Sequence, residues 1–272
     1  MRLPPFARLR GADTRGAPQQ QQTRTAGAAQ ALSATEPSTA LPALSIVVPV
    51  GPAETSLAPL LAELLLLPPD CEILLVDCPG SRELVQNCHP PDSLLQRHQL
   101  RRLEAEQGRA HQMNLGAKAA RGEFLWFLHA DSRLSPWLIQ QLFEGLRAAP
   151  DGLHFFRLQF DNDGQGPMEI NSLGAHLRSA WLGVPFGDQG FCLRRELFDS
   201  LGGYDETAPY GEDHLLLWAA RRRRISLCYH PAVLGTSARK YRQAGWGRLT
   251  LRYQIYWIKQ ALPQYWRCLR GR

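Results

Sequence analysis

The stretch E-F-L-W-F-L-H-A-D-S-R, residues 123–133, decides how the rest of the chain is organised. Five apolar residues, from Phe124 to Leu128, are typical of a strand buried on both faces, as in the centre of a parallel sheet. The polar residues that follow are then expected at the carboxyl end of that strand, where open α/β sheets bind their ligands. The alternative is an ordinary strand followed by a helix cap, because Ser135 and Pro136 are typical of a helix start.

Two further apolar runs have the same character. Residues 44–50 read L-S-I-V-V-P-V and residues 72–77 read E-I-L-L-V-D, and a helix is predicted after each. Strands that alternate with helices predict right-handed β-α-β units and a mostly parallel central sheet flanked by helices, in the α/β class. The two acids that end such runs, Asp77 and Asp131, are therefore expected at one edge of the sheet.

The remaining elements follow from the same periodicities. They are, in chain order, a helix at 81–88, a weak strand at 97–104, helices at 108–120 and 135–148, a strand at 154–160, a helix at 170–182, a strand at 187–194 that enters a helix, a polar loop at 205–212, a helix at 213–223, a strand at 225–229 and a basic aromatic helix at 246–260 that ends before Pro263.

Length and composition place the chain among ordinary globular proteins. It has 272 residues and 44% apolar content, which suits one large α/β domain. No stretch approaches the roughly 20 uninterrupted apolar residues that a spanning helix needs. The six cysteines include no C-x-x-C pair, so the sequence predicts a reducing compartment, the cytoplasm, and no structural zinc.

The two ends of the chain differ from its middle. Residues 1–42 are rich in Ala, Gln, Thr and Pro and are expected to form a disordered extension. Residues 43–262 are then a single domain, and residues 263–272 a basic tail. From residue 239 onward there are nine Lys or Arg residues and no acid, which indicates an anionic partner such as a phosphate-bearing substrate, a membrane surface or a nucleic acid. A solvated basic helix face is the alternative.

An ordered set of short motifs resembles the family 2 glycosyltransferases of the GT-A fold, and most of all the subgroup known as selenodomain-associated transferases. The matching pieces are S-I-V-V-P-V (45–50), L-L-V-D (74–77), G-R-A-H-Q-M-N-L-G-A (108–117), F-L-H-A-D-S-R-L (127–134), G-D-Q-G-F-C-L-R-R-E-L-F (187–198), L-G-G-Y (201–204), G-E-D (211–213) and S-A-R-K-Y (237–241).

The resemblance implies a nucleotide-sugar donor, a divalent metal ion (Mn²⁺ or Mg²⁺), and transfer to an acceptor hydroxyl with inversion at the sugar carbon. Asp131 corresponds to the last acid of the metal-binding signature, where a hard oxygen ligand bridges metal and diphosphate. His129 stands where many members have the first acid, and either binds the metal or lines the pocket. The alternative for Asp131 is a helix-capping role.

For the donor, the resemblance implies six binding residues: Asp77, Arg109, Asn114, Asp188, Gln189 and Arg239. Asp188 and Gln189 are expected to contact the donor sugar or else the acceptor. Asp77 corresponds to the acid that contacts the base or ribose of the nucleotide. The alternative is that Asp77 only forms a turn. Asn114 is otherwise an ordinary surface amide of its helix, and Arg239 otherwise part of a solvated basic loop. Gly51-Pro52 and Cys78 depart from the family pattern on the nucleotide side, which leaves the base identity open.

Glu212 and Asp213 correspond to the family's acidic pair at the head of the acceptor-side helix. An inverting transfer needs one carboxylate to remove the acceptor proton, and Asp213 is predicted to be that base, with Glu212 orienting it or the acceptor. In the alternative reading both acids stabilise the helix N-terminus.

Two other functions remain open at this point. One is a nucleotidyltransferase, although its Gly-rich basic loop after the first strand is absent. The other is a catalytically silent module that binds sugar nucleotides or an anionic surface. The basic aromatic segment 246–266 is expected to allow peripheral contact with an anionic membrane; no nucleic acid is expected, and neither the donor sugar nor the acceptor can be named.

Overall fold

One mixed sheet runs through the part of the chain that the computed structural model describes, residues 43–55, 57–161, 163 and 166–270. Its strands lie in the order β3-β2-β1-β4-β6-β5-β7. They are β1 (Leu44–Pro49), β2 (Glu72–Asp77), β3 (Gln99–Glu104), β4 (Phe124–Phe127), β5 (Leu153–Phe160), β6 (Cys192–Arg194) and β7 (Leu227–Thr236). The extension predicted for residues 1–42 lies outside the described residues.

Helices cover both faces of this sheet. They are α1 (Ala58–Glu63), α2 (Arg82–Gln86), α3 (Asp92–Arg97), α4 (Arg109–Ala119), α5 (Pro136–Ala148), α6 (Met168–His176), α7 (Arg195–Leu201), α8 (Glu212–Arg222), α9 (Arg239–Ala244) and α10 (Trp246–Arg270). Helix α6 continues as a π-helical turn, Leu177–Trp181, and a 3₁₀ turn occupies Gly187–Gln189.

The predicted α/β class with a mostly parallel sheet is confirmed. Strands β3, β2, β1 and β4 are mutually parallel, as are β5 and β7, while β6 runs antiparallel to β4 and β5. Every residue of β1, β2 and β4 is buried, as the continuous apolar runs predicted. The carboxyl ends of these strands consequently meet at one edge.

Helix α4 lies unusually close to that edge. A Cβ at Gly116 would come within 2.4 Å of a Val47 methyl group, so only glycine allows the helix to approach the sheet this closely. The Gln112 amide donates to the carbonyl oxygens of Val50 (2.8 Å) and Val76 (2.7 Å), at the carboxyl ends of β1 and β2. These contacts fix the N-terminus of α4, and with it Arg109, at the ligand-binding edge.

Several elements differ from the sequence prediction, among them β7, α9 and α3. Strand β7 runs to Thr236 rather than ending at 229, because a register shift opposite Phe156 and Arg157 accommodates Pro231, which has no N–H to donate. A short helix, α9, stands where a loop was expected, and α3 fills a segment to which no element was assigned.

The prediction that the last helix ends before Pro263 is wrong. Helix α10 continues through Pro263 to Arg270, so the basic tail expected from residue 263 is helical as far as Arg270. Pro263 is exposed, where water can bond the carbonyl that the proline leaves without a donor. No helix within the described ranges is long and apolar enough to cross a membrane.

Candidate functional site

A cavity of about 540 Å³ opens at the carboxyl edge of the sheet, between the turn after β4 and helices α6, α8, α9 and α10. One end is charged and contains Arg109, Asp131, Asp188, Asp213 and Lys240. The opposite walls are apolar or aromatic and come mainly from β5, α6 and α10. A concave site with few polar groups on an apolar frame is typical of a small-molecule site.

Arg109 connects the charged groups of this cavity. Its Nε donates to Glu212 Oε1 (2.5 Å), and its Nη2 lies 3.7 Å from Asp213 Oδ2. Its Nη1 lies 3.2 Å from His129 Nε2. Burial alone would lower the pKa of Arg109, but the charges of Glu212 and Asp213 outweigh burial and raise it. The guanidinium is therefore a permanent cation that holds both acids.

Asp213 is held in one orientation from two sides. Its Oδ2 accepts the N–H of Gly187 and its Oδ1 accepts the N–H of His214 (2.9 Å). A Cβ on Gly187 would lie 2.9 Å from the Asp213 side chain, so this close approach requires glycine. The arrangement fixes a carboxylate at the N-terminus of α8, on the wall of the cavity.

The turn after β4 presents His129 and Asp131 to the same cavity. Burial, and after it the charges of Arg109 and Lys240, hold the pKa of His129 well below its ordinary value, so the imidazole is neutral. Since a guanidinium only donates, the Nε2 lone pair of His129 accepts from Arg109. Asp131 has no hydrogen-bond partner among the described residues.

These residues fit a metal ion that arrives with a diphosphate. Among the described residues, no group of three His, Cys, Asp or Glu is assembled to hold a metal ion. Mg²⁺ in nucleotide sites is typically bound by only one or two carboxylates together with substrate phosphates. Asp131 supplies one such carboxylate, and the Oδ1 of Asp188, buried without a partner in the described part, is a second oxygen in the cavity.

Two acids of the site have raised pKa values. Burial raises the pKa of Asp188 to about 6, while Arg178 opposes this change. Burial also raises the pKa of Asp77. The Oδ1 of Asp77 is buried and has no partner in the described part. Asp77 lies at the same sheet edge but outside the cavity lining, on the side of β1 and β2.

Besides Arg109, three of the predicted donor-binding side chains are engaged in contacts within the protein. Asn114 donates to the Tyr204 carbonyl (2.8 Å) and accepts the Tyr204 N–H (2.9 Å), which fixes the chain before α8. Gln189 is fully buried and donates to the Phe156 carbonyl (2.7 Å). Arg239 forms an ion pair with Glu54 and so joins α9 to the segment after β1.

Several residues of the cavity were not among the sequence candidates. Arg178 enters it from the π-helical turn. Lys240, which belongs to the S-A-R-K-Y motif of the sequence analysis, enters the cavity from α9. His214 Nδ1 donates to Gln260 Oε1 (2.8 Å), which ties α8 to α10, while His214 Nε2 accepts from Trp218 (2.9 Å). The one available sequence signal was the amphipathic period of segment 246–270, which predicts a helix with a packed face.

A family model described as glycosyl transferase family 2 matches residues 45–202, which is more than half of the chain. The chain therefore belongs to glycosyl transferase family 2, as the motifs predicted, and the selenodomain-associated subgroup stays a prediction. Among curated protein sequences, none is similar enough to count as a match.

Solved structures show the same fold at low identity. The Staphylococcus aureus protein TarS, residues 1–349 in complex with UDP-GlcNAc, has a TM-score of 0.56 at 17% identity, covering 72% of this chain and 59% of its own. The mannosyltransferase PcManGT from Pyrobaculum calidifontis, in complex with GDP-Man and Mn²⁺, has a TM-score of 0.59 at 19% identity. The match covers 86% of this chain and 69% of the mannosyltransferase. GalNAc-T7 with UDP, GalNAc and Mn²⁺ has a TM-score of 0.54 at 16% identity, and the match covers 73% of this chain and 44% of GalNAc-T7. The GT-A fold is confirmed, and the chain spans about three fifths of the TarS fragment.

Proposed function

We propose that the protein is an inverting glycosyltransferase that moves a sugar from a nucleotide-diphosphate donor to an acceptor hydroxyl, assisted by a divalent metal ion. The observation that carries this proposal is the cavity at the carboxyl edge of the sheet. It brings Asp131, the cations Arg109 and Lys240, and the oriented carboxylate of Asp213 together. These groups are the ones that a diphosphate leaving group and an attacking hydroxyl require.

The donor occupies the edge from β2 to β4. Asp77, with its unpartnered oxygen, is suited to a ribose hydroxyl or base, and Lys240 lies where a diphosphate would be neutralised. Asp188 faces the same cavity and is suited to a sugar hydroxyl. The neighbours that carry UDP-GlcNAc or GDP-Man in their descriptions support a nucleotide-sugar donor, but not one base or sugar.

Asp131 would hold the Mn²⁺ or Mg²⁺ ion. When bound, the ion supplies positive charge that stabilises the leaving diphosphate. The neutral His129 ring accepts from Arg109 and orients it, which is the role that this geometry supports for the histidine.

The chemical step is an in-line displacement. The acceptor oxygen attacks the anomeric carbon, its proton passes to Asp213, and the bond from that carbon to the diphosphate oxygen breaks as the nucleoside diphosphate leaves. Arg109 lies beside Asp213 and holds Glu212 through a hydrogen bond from its Nε. Hydrogen bonds from Gly187 and His214 keep the carboxylate in place throughout.

We also propose peripheral contact with an anionic membrane through α10. Five apolar residues at helical spacing form an exposed row, the outer stripe: Leu251, Ile255, Ile258, Leu262 and Trp266. The opposite face packs against α6 and α9 through Leu249, and against α8 and the cavity through residues such as Trp257, Ala261 and Gln264. An exposed apolar row of this length is typical of an interaction surface.

Charge selects the partner of the outer stripe. Arg248, Arg252 and Lys259 fall beside the stripe on the helical wheel, and α10 contains no acidic residue. A second copy of the same stripe would bring like charges together, whereas an anionic bilayer complements them. A cytoplasmic location, predicted from the cysteines, stays a prediction.

The function is tested by donor turnover. Purified protein with Mn²⁺ is given nucleoside-diphosphate sugars one at a time, with pooled hydroxyl acceptors, and released nucleoside diphosphate is measured by chromatography. We expect one donor to be consumed, with the anomeric configuration of the product opposite to that of the donor by NMR. Retained configuration would contradict inversion, and the absence of turnover together with donor binding would favour the silent binding module.

A further inference from the structure

Arg178 is a cation of the cavity that neither the donor site nor the chemical step uses. It lies on the π-helical turn after α6, and its guanidinium stacks 3.3 Å above the centre of the Phe186 ring. Its Nε donates to the Val184 carbonyl (2.9 Å). These two contacts fix the plane of the guanidinium, and widened helical turns of this kind are often found at functional sites.

Among the residues that the structure describes, the outer nitrogens of Arg178 have no partner. Within the described part of the chain, no carboxylate lies within 4.0 Å of this guanidinium and neither Nη has a hydrogen bond. Burial lowers the pKa of Arg178 to about 10, although Asp188 and Asp213 act at longer range to raise it. A fixed, partly buried guanidinium with free donors is suited to a carboxylate or phosphate ligand.

Beyond Arg178 the cavity becomes apolar. Helix α6 contributes Ile170, Gly174 and Ala175, and α10 contributes Tyr253, Tyr256 and Trp257. The two helices are joined at one end by a hydrogen bond from Trp246 Nε1 to Asn171 Oδ1 (2.8 Å). Ile170 and Tyr256 are both partly exposed, so the apolar path reaches the surface of the molecule.

We propose that the acceptor is an amphiphilic anion, whose acidic head group binds Arg178 and whose apolar chain lies between α6 and α10. This inference rests on the proposed function, because it assigns the acceptor half of the same cavity. The outer stripe of α10 lies on the opposite side of one wall of this path. An acceptor anchored in a bilayer would therefore meet the cavity at its apolar end.

The probe is octyl phosphate below its micelle concentration, titrated calorimetrically into the full chain. Inorganic phosphate tests the head group alone, and octyl glucoside tests a neutral amphiphile. We expect octyl phosphate to bind at least tenfold more tightly than either. If inorganic phosphate binds as tightly as octyl phosphate, the claim that an apolar chain contributes to binding is wrong. If octyl glucoside binds as tightly as octyl phosphate, the claim that Arg178 binds an anion is wrong.

Two variants address the two parts of the proposal. Arg178→Gln removes the charge and is expected to weaken octyl phosphate at least tenfold, with octyl glucoside unchanged. Gly174→Leu fills the apolar path, since a Cβ at Gly174 meets nothing within 4 Å and leucine favours the helix; it is expected to weaken both amphiphiles. Unchanged octyl phosphate affinity in either variant overturns the proposal.

The matched controls are Arg223→Gln and Gly247→Leu, which make the same substitutions at exposed sites outside the cavity. Both are expected to bind octyl phosphate as the wild type does. Nucleotide-sugar titrations on the same variants separate this inference from the proposed function. Donor binding is expected to survive Arg178→Gln, and octyl phosphate is expected to bind together with the nucleotide. Competition between them would overturn the acceptor assignment.

Discussion

The two sides of the cavity are built by different physical means. On the donor side, Asp77 ends β2, and His129 and Asp131 follow β4; these two strands pair with β1 on either side, and their backbone hydrogen bonds fix the strand positions. On the acceptor side, α8 and α10 are distant in sequence and are joined by side-chain hydrogen bonds, from His214 to Gln260 and from Arg222 to Gln264. The geometry of the donor side is thus fixed by the hydrogen-bonded sheet, while the geometry of the acceptor side depends on a few polar side chains.

The largest effect is expected where the two sides meet, at Asp213. Asp213→Asn removes the base but retains an oxygen that can accept the Gly187 N–H. We expect turnover to fall by roughly 10²- to 10⁴-fold, with donor affinity nearly unchanged in calorimetry. Asp199→Asn, at an exposed position of α7, is the matched control. A variant that loses donor affinity instead of turnover would mean that Asp213 serves the donor side.

Arg109→Lys tests the contact between the two sides. Lysine retains the charge but cannot bond Glu212, Asp213 and His129 at once. We expect turnover to fall roughly 10- to 100-fold, the equivalent of one charged hydrogen bond, measured at saturating donor. Arg121 is an exposed arginine just past α4, and Arg121→Lys is expected to leave turnover unchanged. Full activity of Arg109→Lys would show that only the charge matters.

Acid is expected to destabilise the acceptor-side strands first. His154 on β5 donates from Nε2 to the Ala149 carbonyl (2.9 Å), so its Nδ1 accepts from His230 Nε2 on β7 (3.0 Å). Burial lowers the pKa of His154 to about 4 and that of His230 to about 3. Both rings stay neutral in the folded protein, whereas the unfolded chain binds protons below about pH 6.5.

The contribution of these rings to the free energy of unfolding is therefore at its maximum above pH 6.5. It decreases as the pH falls towards 4, by on the order of 3 kcal/mol for one ring. Denaturant melts across this pH range measure the slope of the free energy of unfolding against pH. As the pH falls, the rate of amide exchange is expected to increase in β5 and β7 before it does in β1 and β4. His154→Phe is expected to flatten the slope, and exposed His89→Gln to leave it unchanged. A slope that His154→Phe does not alter would contradict the assignment.

The smallest effect is expected at the outer stripe, which lies away from the chemistry. Replacing Leu251 and Ile258 with Gln is expected to weaken binding to phosphatidylserine-containing vesicles about tenfold or more, because each side chain loses apolar burial. Sedimentation with vesicles measures this, and Leu95→Gln on α3 is a control of similar exposure. Tight vesicle binding that ignores salt would contradict the electrostatic part of the proposal.

The sequence predicted the donor side better because its signals are local. The runs before Asp77 and Asp131 each predict a buried strand, and parallel packing then brings their ends together. Arg178 and Gln260 carry no such signal, because long-range packing places them. The helix end predicted before Pro263 failed for a related reason, since packing of α10 on α8 outweighs the local cost of proline.

The central claim is that Asp131 binds a metal ion together with the donor diphosphate. The most direct test is isothermal titration of a panel of nucleoside-diphosphate sugars, with and without Mn²⁺, into the wild type and Asp131→Ala. Exposed Asp199→Ala is the control. The account predicts that at least one donor binds the wild type only with Mn²⁺, and that Asp131→Ala abolishes this binding. Donor binding that is equal without metal, or equal in Asp131→Ala, would contradict it.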